Sequence, residues 1–251
     1  MGKVTKIAWA DSSWNPWIGC TKVSPGCDHC YAESQDHRWG HDSWGKGKPR
    51  RLTSDSNWKK PLQWNREAEK AGVKHKVFCG SLCDVMDDEA PEGARERLWS
   101  LIDHTPYLIW QLLTKRPHRY ERYLPHDFVH DNVWIGTTCE NQEFYDVRWP
   151  LIAVLRQDRG FPAWISYEPA IGPLTMDASH SGLGLPDWII CGGESGAGFR
   201  PMEQKWAEDI KQECEKYGVA FFMKQMSARI PDEGKHLIPA HLIANQFPVV
   251  K

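Results

Sequence analysis

Seven short apolar runs spaced along 251 residues constrain this chain more than any other feature. They are KIAWA (6–10), KVFCGSL (76–82), YLIWQLLT (107–114), NVWIGTT (132–138), AWISYEP (163–169), DWIICGG (187–193) and VAFFMK (219–224). Each places apolar residues on successive positions, the pattern of strands buried on both faces. Between several of them the period becomes helical. Pro91 stands where a helix begins, with Leu98, Leu101 and Ile102 on one side. A second helix is expected over about 142–156, with Phe144, Val147, Leu151 and Leu155 along one stripe and Pro150 interrupting it. A third, from about Met202 to Tyr217, carries Trp206, Ile210, Cys214 and Tyr217, with Gly218 as its C-terminal cap.

Strands that alternate with helices pair in parallel through right-handed crossovers. The expected fold is therefore α/β, a complete or partial (β/α) barrel of about six to seven parallel strands. It occupies residues 1–251 as a single domain, a size single barrels reach. DASHSGLGLP (177–186) lacks helical periodicity, so one crossover is expected to be a loop. Residues 35–65, rich in Trp, Gly, Lys and Arg, read as an excursion between the first helix and the second strand.

Chemistry in parallel α/β folds gathers at the C-terminal ends of the strands. Those ends carry Asp84, Lys115 with Arg116, Glu140 with Asn141, Glu168, Glu194 with Ser195, and Lys224 with Gln225. Polar residues also cap helices at such junctions, so any single one is ambiguous. As a ring they point to a functional rim.

The stretch WNPWIGCTKVSPGCDHCYAES (14–34) follows the first run and belongs to that rim. Cys20, Cys27 and Cys30 are spaced C-x6-C-x2-C. Thiolates ligate iron–sulfur clusters and structural zinc. Zinc wants a fourth protein ligand, which His29, His37 or His41 would supply. Three cysteines in one loop suit a [4Fe–4S] cluster with one iron left to another ligand. Gly19, Gly26, Pro16 and Pro25 suit a loop that wraps closely and turns sharply.

WNPWIGCTKVSPGCDHCYAE, followed by TKRP, TTCEN, EP, CGGESGAGFRP and MKQ, resembles an uncharacterised family common in phages and mobile elements. That family is similar to radical SAM enzymes, including spore photoproduct lyase. The first cysteine gap is three residues longer than the usual C-x3-C-x2-C. The resemblance implies that Cys20, Cys27 and Cys30 bind three irons and that S-adenosyl-L-methionine (SAM) chelates the fourth. It further implies reductive cleavage of SAM to a 5′-deoxyadenosyl radical, with an electron donor such as flavodoxin or ferredoxin. Glu140 or Asn141 would then bond the ribose hydroxyls, Glu168 or Glu194 the methionine ammonium, and Lys115 its carboxylate. Gly192 and Gly193 would allow a ligand close to the backbone, with Glu194 pointing inward. The GGE lies on the sixth run, whereas radical SAM enzymes carry a similar motif on the second strand. Cys139 or Cys191 would donate hydrogen to a product radical, with Tyr167 as a relay. Each of the three also suits a plain core position.

The excursion WGKGKPRRLTSDSNWKKPLQW (44–64) interleaves cations, among them Arg50, Arg51, Lys59 and Lys60, with Trp44, Trp58 and Trp64. Cations for phosphates and flat rings for bases are the components of nucleic-acid binding. TKRPHRYERY (114–123) adds a second basic cluster. The net charge of −2 offers no global attraction for nucleic acid, so such binding would be local. A nucleic-acid base or nucleotide is the expected substrate, for modification, rearrangement or repair.

No run is long enough to span a bilayer, and MGKVTKIAWADSS lacks a signal peptide's apolar stretch. The expected location is the cytoplasm of a bacterial or phage-infected cell, where thiols stay reduced. Two rival readings are a zinc-stabilised nucleic-acid-binding module without radical chemistry, and a hydrolase using Glu140, Glu168 and Glu194 as acid or base.

Overall fold

The computed structural model describes residues 5–176 and 182–249. In chain order the elements begin β1 (Ser12–Trp14), β2 (Trp17–Ile18), α1 (Tyr31–Arg38), β3 (Arg51–Leu52), α2 (Asp55–Trp58), α3 (Lys60–Ala71), β4 (His75–Cys79), α4 (Ala94–Asp103) and β5 (Leu108–Thr114). They continue α5 (Tyr120–Tyr123), β6 (Val133–Thr138), α6 (Gln142–Arg159), β7 (Ala163–Tyr167), β8 (Trp188–Gly192), α7 (Gln204–Tyr217), β9 (Ala220–Gln225) and α8 (Pro231–His236). Two compact units divide them: Met1–Val23 with Ala32–Trp134, and Ser24–Tyr31 with Ile135–Lys251.

In the first unit β1 lies parallel to β4, Trp14 opposite Cys79, and β4 parallel to β5, Cys79 opposite Leu112. A small antiparallel pair, β2 with β3, stands apart. In the second unit β6, β7, β8 and β9 pair in parallel, with Thr138 opposite Ser166, Tyr167 opposite Cys191, and Trp188 opposite Ala220. The α/β class and the seven parallel strands read from the sequence are therefore present. β7 and β8 are buried at every residue, which is why they read as unbroken apolar runs.

The first strand is displaced from its expected place. Residues 6–10 bend and turn, and β1 begins at Ser12. Trp9 is spent on packing against Phe78, ring centroids 4.5 Å apart. The excursion at 35–65 also holds more regular structure than expected, namely β3, α2 and the start of α3. α3 turns Trp64, Asn65 and Ala68 inward and ends on Gly72 in the left-handed conformation.

α6 is continuous through Pro150, but its buried face is not the one expected. Tyr145, Arg148, Trp149, Ile152 and Ala153 face inward, while Val147 and Leu151 are 58% and 43% exposed. The helix carries two apolar stripes. The one with Tyr145 and Trp149, stacked 6.5 Å apart, has the larger rings to remove from water. α7 buries Ala207, Ile210 and Cys214 and caps on Gly218 as expected, whereas Tyr217 is exposed. Twelve of the fourteen tryptophans are buried, so their excess builds core. The loop expected at 177–186 begins outside the described residues, as do residues 1–4 of the opening stretch. No helix among the described residues is long and apolar enough to cross a membrane.

Candidate functional site

Cys20 follows β2 in the first unit, on a stretch bridged on one side through Gly19 to Cys83 and on the other through Cys20 to Trp44. Gly19 has φ +120°, and a Cβ there would lie 2.4 Å from the Ser43 carbonyl oxygen. Only glycine lets the chain through this gap.

Two buried arginines hold the next residue. Arg50 donates from Nη2 to the Thr21 hydroxyl at 2.6 Å and to Glu89 at 2.5 Å, and from Nε to Asp87 at 2.8 Å. Its Nη1 reaches the carbonyls of Ser43, Gly45 and Lys48. Arg116, only 2% exposed, donates from Nη2 to the Thr21 carbonyl at 2.6 Å and from Nη1 to Asp84 at 2.8 Å. The same Nη1 lies 3.5 Å from Cys20 Sγ. Asp84 also accepts from the Thr114 hydroxyl at 2.7 Å and the Lys115 amide at 3.1 Å, which locks the turn after β5. Burial pushes the Cys20 thiol up to about 12; Asp84 adds to the rise and Arg116 offsets part of it.

Cys27 and Cys30, both in the second unit, lie at the end of a single helical turn at Pro25–Cys27 and three residues beyond it. Several side chains grip this segment. Glu140 Oε1 accepts from the Gly26 amide at 3.2 Å, while its Oε2 accepts from Arg148 Nη1 at 2.7 Å. A Cβ at Gly26 would sit 2.9 Å from that Glu140 oxygen. Arg200 Nη2 donates to the Pro25 carbonyl at 2.9 Å and its Nη1 to Asp28 at 3.4 Å. Glu194 takes Arg200 and stands 2.9 Å from His29 Nδ1. Burial acts to raise the Glu194 carboxyl, but the bonds from Arg200 and His29 outweigh it and hold the group down at about 2.

The residues expected to bind cofactor therefore have work of their own. Glu140 and Glu194, both buried, anchor the Pro25–His29 segment. Asn141 caps α6, its side chain accepting from the Phe144 amide. Lys115 contributes its amide to Asp84, and its side chain is half-buried. Gly193 is required because a Cβ would strike the Ser227 amide at 2.2 Å, so the close approach there is to protein backbone. Glu168 pairs with Lys224, and Gly192 runs beneath it, with 3.3 Å from a notional Cβ to the Glu168 carboxyl carbon.

Tyr167 and Cys191 are opposite one another on β7 and β8, wholly buried. The Tyr167 hydroxyl donates to the Gly172 carbonyl. Burial pushes the Tyr167 hydroxyl and the Cys191 thiol up. Cys139 is also fully buried, just past β6.

The nucleic-acid candidates separate. Arg50 is buried in its acidic network, and Trp58 lies edge to face with Trp14, ring centroids 4.9 Å apart, with the Arg97 guanidinium over its ring at 4.2 Å. Neither is on the surface, which corrects the expectation for these two. Arg51 pairs with the buried Asp36 and stays partly exposed; Lys59 is exposed and Lys60 half-buried. The sequence reading missed Arg148 and Arg200 altogether and assigned Arg116 no role. Their one visible signal is an arginine inside an apolar helix or beside the glycine-rich turn.

Among the described residues, no three His, Cys, Asp or Glu side chains are grouped so as to hold a metal ion. None of the eight cysteines is in a disulfide.

In fold, this chain is similar to spore photoproduct lyase. One match is a mutant with bound AdoMet and dinucleoside spore photoproduct, at 10% identity and a TM-score of 0.52, covering 90% of this chain and 60% of that one. A second spore photoproduct lyase mutant matches at 11% identity with the same TM-score and coverage. This chain thus spans about 60% of the length of those structures. No curated protein matches it. The class is therefore an α/β fold like that of spore photoproduct lyase. Within that class the chain belongs to the family described as Protein of unknown function (DUF5131), which it matches over residues 4–242.

Proposed function

We propose that this protein is a radical SAM enzyme acting on a nucleic-acid base or nucleotide, with Cys20, Cys27 and Cys30 as ligands of a [4Fe–4S] cluster. The observation that carries the proposal is the occurrence of three thiols within eleven residues on a chain with this fold. The donor set suits iron and sulfide, since thiolates are the usual cluster ligands. An orphaned polar atom on the side chain that reaches Cys20 also suits it, because Arg116 Nε is buried and has no partner among the described residues. When bound, a cluster and SAM supply reductive cleavage to a 5′-deoxyadenosyl radical, with flavodoxin or ferredoxin as the class of electron donor.

The chain's own residues bind and orient. Glu140, Glu194 and Arg200 hold the segment bearing Cys27 and Cys30. Arg50 and Arg116 hold Thr21, next to Cys20. Glu168, still partly exposed beside Lys224, is the carboxylate left to meet an amino acid's ammonium group. The dinucleoside bound by the similar lyase supports the substrate class.

Anaerobic reconstitution with iron and sulfide tests the proposal. The protein should turn brown, give a reduced-cluster EPR signal that changes with SAM, and release 5′-deoxyadenosine under reductant. Oxygen-free protein that takes up no iron, or that carries stoichiometric zinc and ignores SAM, refutes it. For the substrate class, retention of DNA or RNA should fall with salt; equal indifference to both removes it.

A further inference from the structure

We infer that Arg116 sets the electron affinity of the proposed cluster by donating an N–H to the sulfur of Cys20. The inference rests on the cluster assignment above and adds a positioning residue to it. Arg116 Nη1 lies 3.5 Å from Cys20 Sγ, within reach of a hydrogen bond to sulfur. The guanidinium is not free to swing away. Asp84 takes Nη1 at 2.8 Å, the Thr21 carbonyl takes Nη2 at 2.6 Å, and the side chain is 2% exposed.

The chemistry follows from charge. A guanidinium stays protonated at any pH a protein survives. Hydrogen bonds to cluster sulfurs help set the reduction potential, as do net charge and solvent exposure. An N–H aimed at a ligating sulfur stabilises the reduced state more, because the added electron makes that sulfur a better acceptor. The guanidinium charge works in the same direction, against the opposing carboxylates of Asp84 and Asp87, so the directed N–H is the part of Arg116 that acts on this sulfur.

The second observation is Arg116 Nε, which is buried with no acceptor among the described residues. A buried N–H without an acceptor costs free energy, so an acceptor supplied here would be favourable. An inorganic sulfide of a cluster bound through Cys20 is an acceptor of the right chemistry.

The test compares anaerobically reconstituted wild type with Arg116→Gln and Arg116→Lys. The proteins are matched for iron and acid-labile sulfide, checked for fold by circular dichroism, and titrated against redox mediators with EPR of the reduced cluster. Arg116→Gln should lower the reduced-to-oxidised ratio at the wild-type midpoint at least tenfold, a downward shift of about 59 mV for one electron. Arg116→Lys, which keeps the charge but not the fork, should fall between. A folded, fully loaded Arg116→Gln protein with the wild-type midpoint overturns the inference and leaves the cluster assignment standing. If Arg116→Gln does not fold, a wild-type midpoint in Arg116→Lys overturns it equally. Wild-type protein that binds no iron overturns the cluster assignment, and this inference with it.

Discussion

Arg200 meets Glu194 fork to fork, Nη2 at 2.6 Å from Oε1 and Nε at 3.0 Å from Oε2, and the Arg200 amide adds a third bond at 2.8 Å. Paired N–H bonds of this kind are stronger than single neutral ones and fix orientation as well. The same arginine reaches the Pro25 carbonyl, so the pair ties the glycine-rich turn after β8 to the segment carrying Cys27 and Cys30.

Glu194 should therefore make stability depend on acid. Its folded value of about 2 lies below the ordinary 4.5. A depressed carboxyl contributes fully above its unfolded value and loses that contribution as pH falls through the folded one. Glu194→Gln should cost about 2 kcal/mol at neutral pH, less than full conversion of the shift because Arg200 is partly exposed. Denaturant melts should show this gap closing between pH 4.5 and 2. A gap unchanged at pH 3 would sink the assignment.

Arg50 and Lys59, neighbours in one basic stretch, should behave oppositely. Arg50→Ala strands Asp87 and Glu89 around a buried hole and should cost about 3–5 kcal/mol. Lys59→Ala, on the exposed surface, should stay within about 0.5 kcal/mol. If nucleic acid binds this face, only the Lys59 change should weaken its retention without loosening the fold. Urea melts beside a retention assay separate the two.

Gly136 lies within β6 where a Cβ would meet the Trp164 ring at 2.4 Å. Gly136→Ala should destabilise the protein by about 1–3 kcal/mol through overpacking. Thermal melting reads this directly, and an unchanged midpoint would contradict the packing described.

Cys191→Ala should cost about 1 kcal/mol and leave any turnover intact, because its thiol is fully buried in the core. Folded Cys191→Ala protein that has lost turnover would restore the hydrogen-donor role.

Much of the scaffold was legible from residue order. β7 and β8, buried on both faces, had to read as apolar runs, and Gly218 announced the end of α7 because it alone takes the left-handed turn cheaply. Where two answers satisfied the same pattern, reading failed. α6 offers two apolar stripes, and only the shape of the neighbouring surface chose Tyr145 and Trp149.

The candidate site divides in the same way. Residue order alone determined that three thiols share one short stretch and that charged groups recur after the strands. Tertiary structure alone decided which charge reaches the first cysteine: Arg116, held by Asp84, faces Cys20. The physical reason is separation along the chain. Arg116 and Cys20 are ninety-six residues apart, and no local pattern encodes a contact that long-range packing creates.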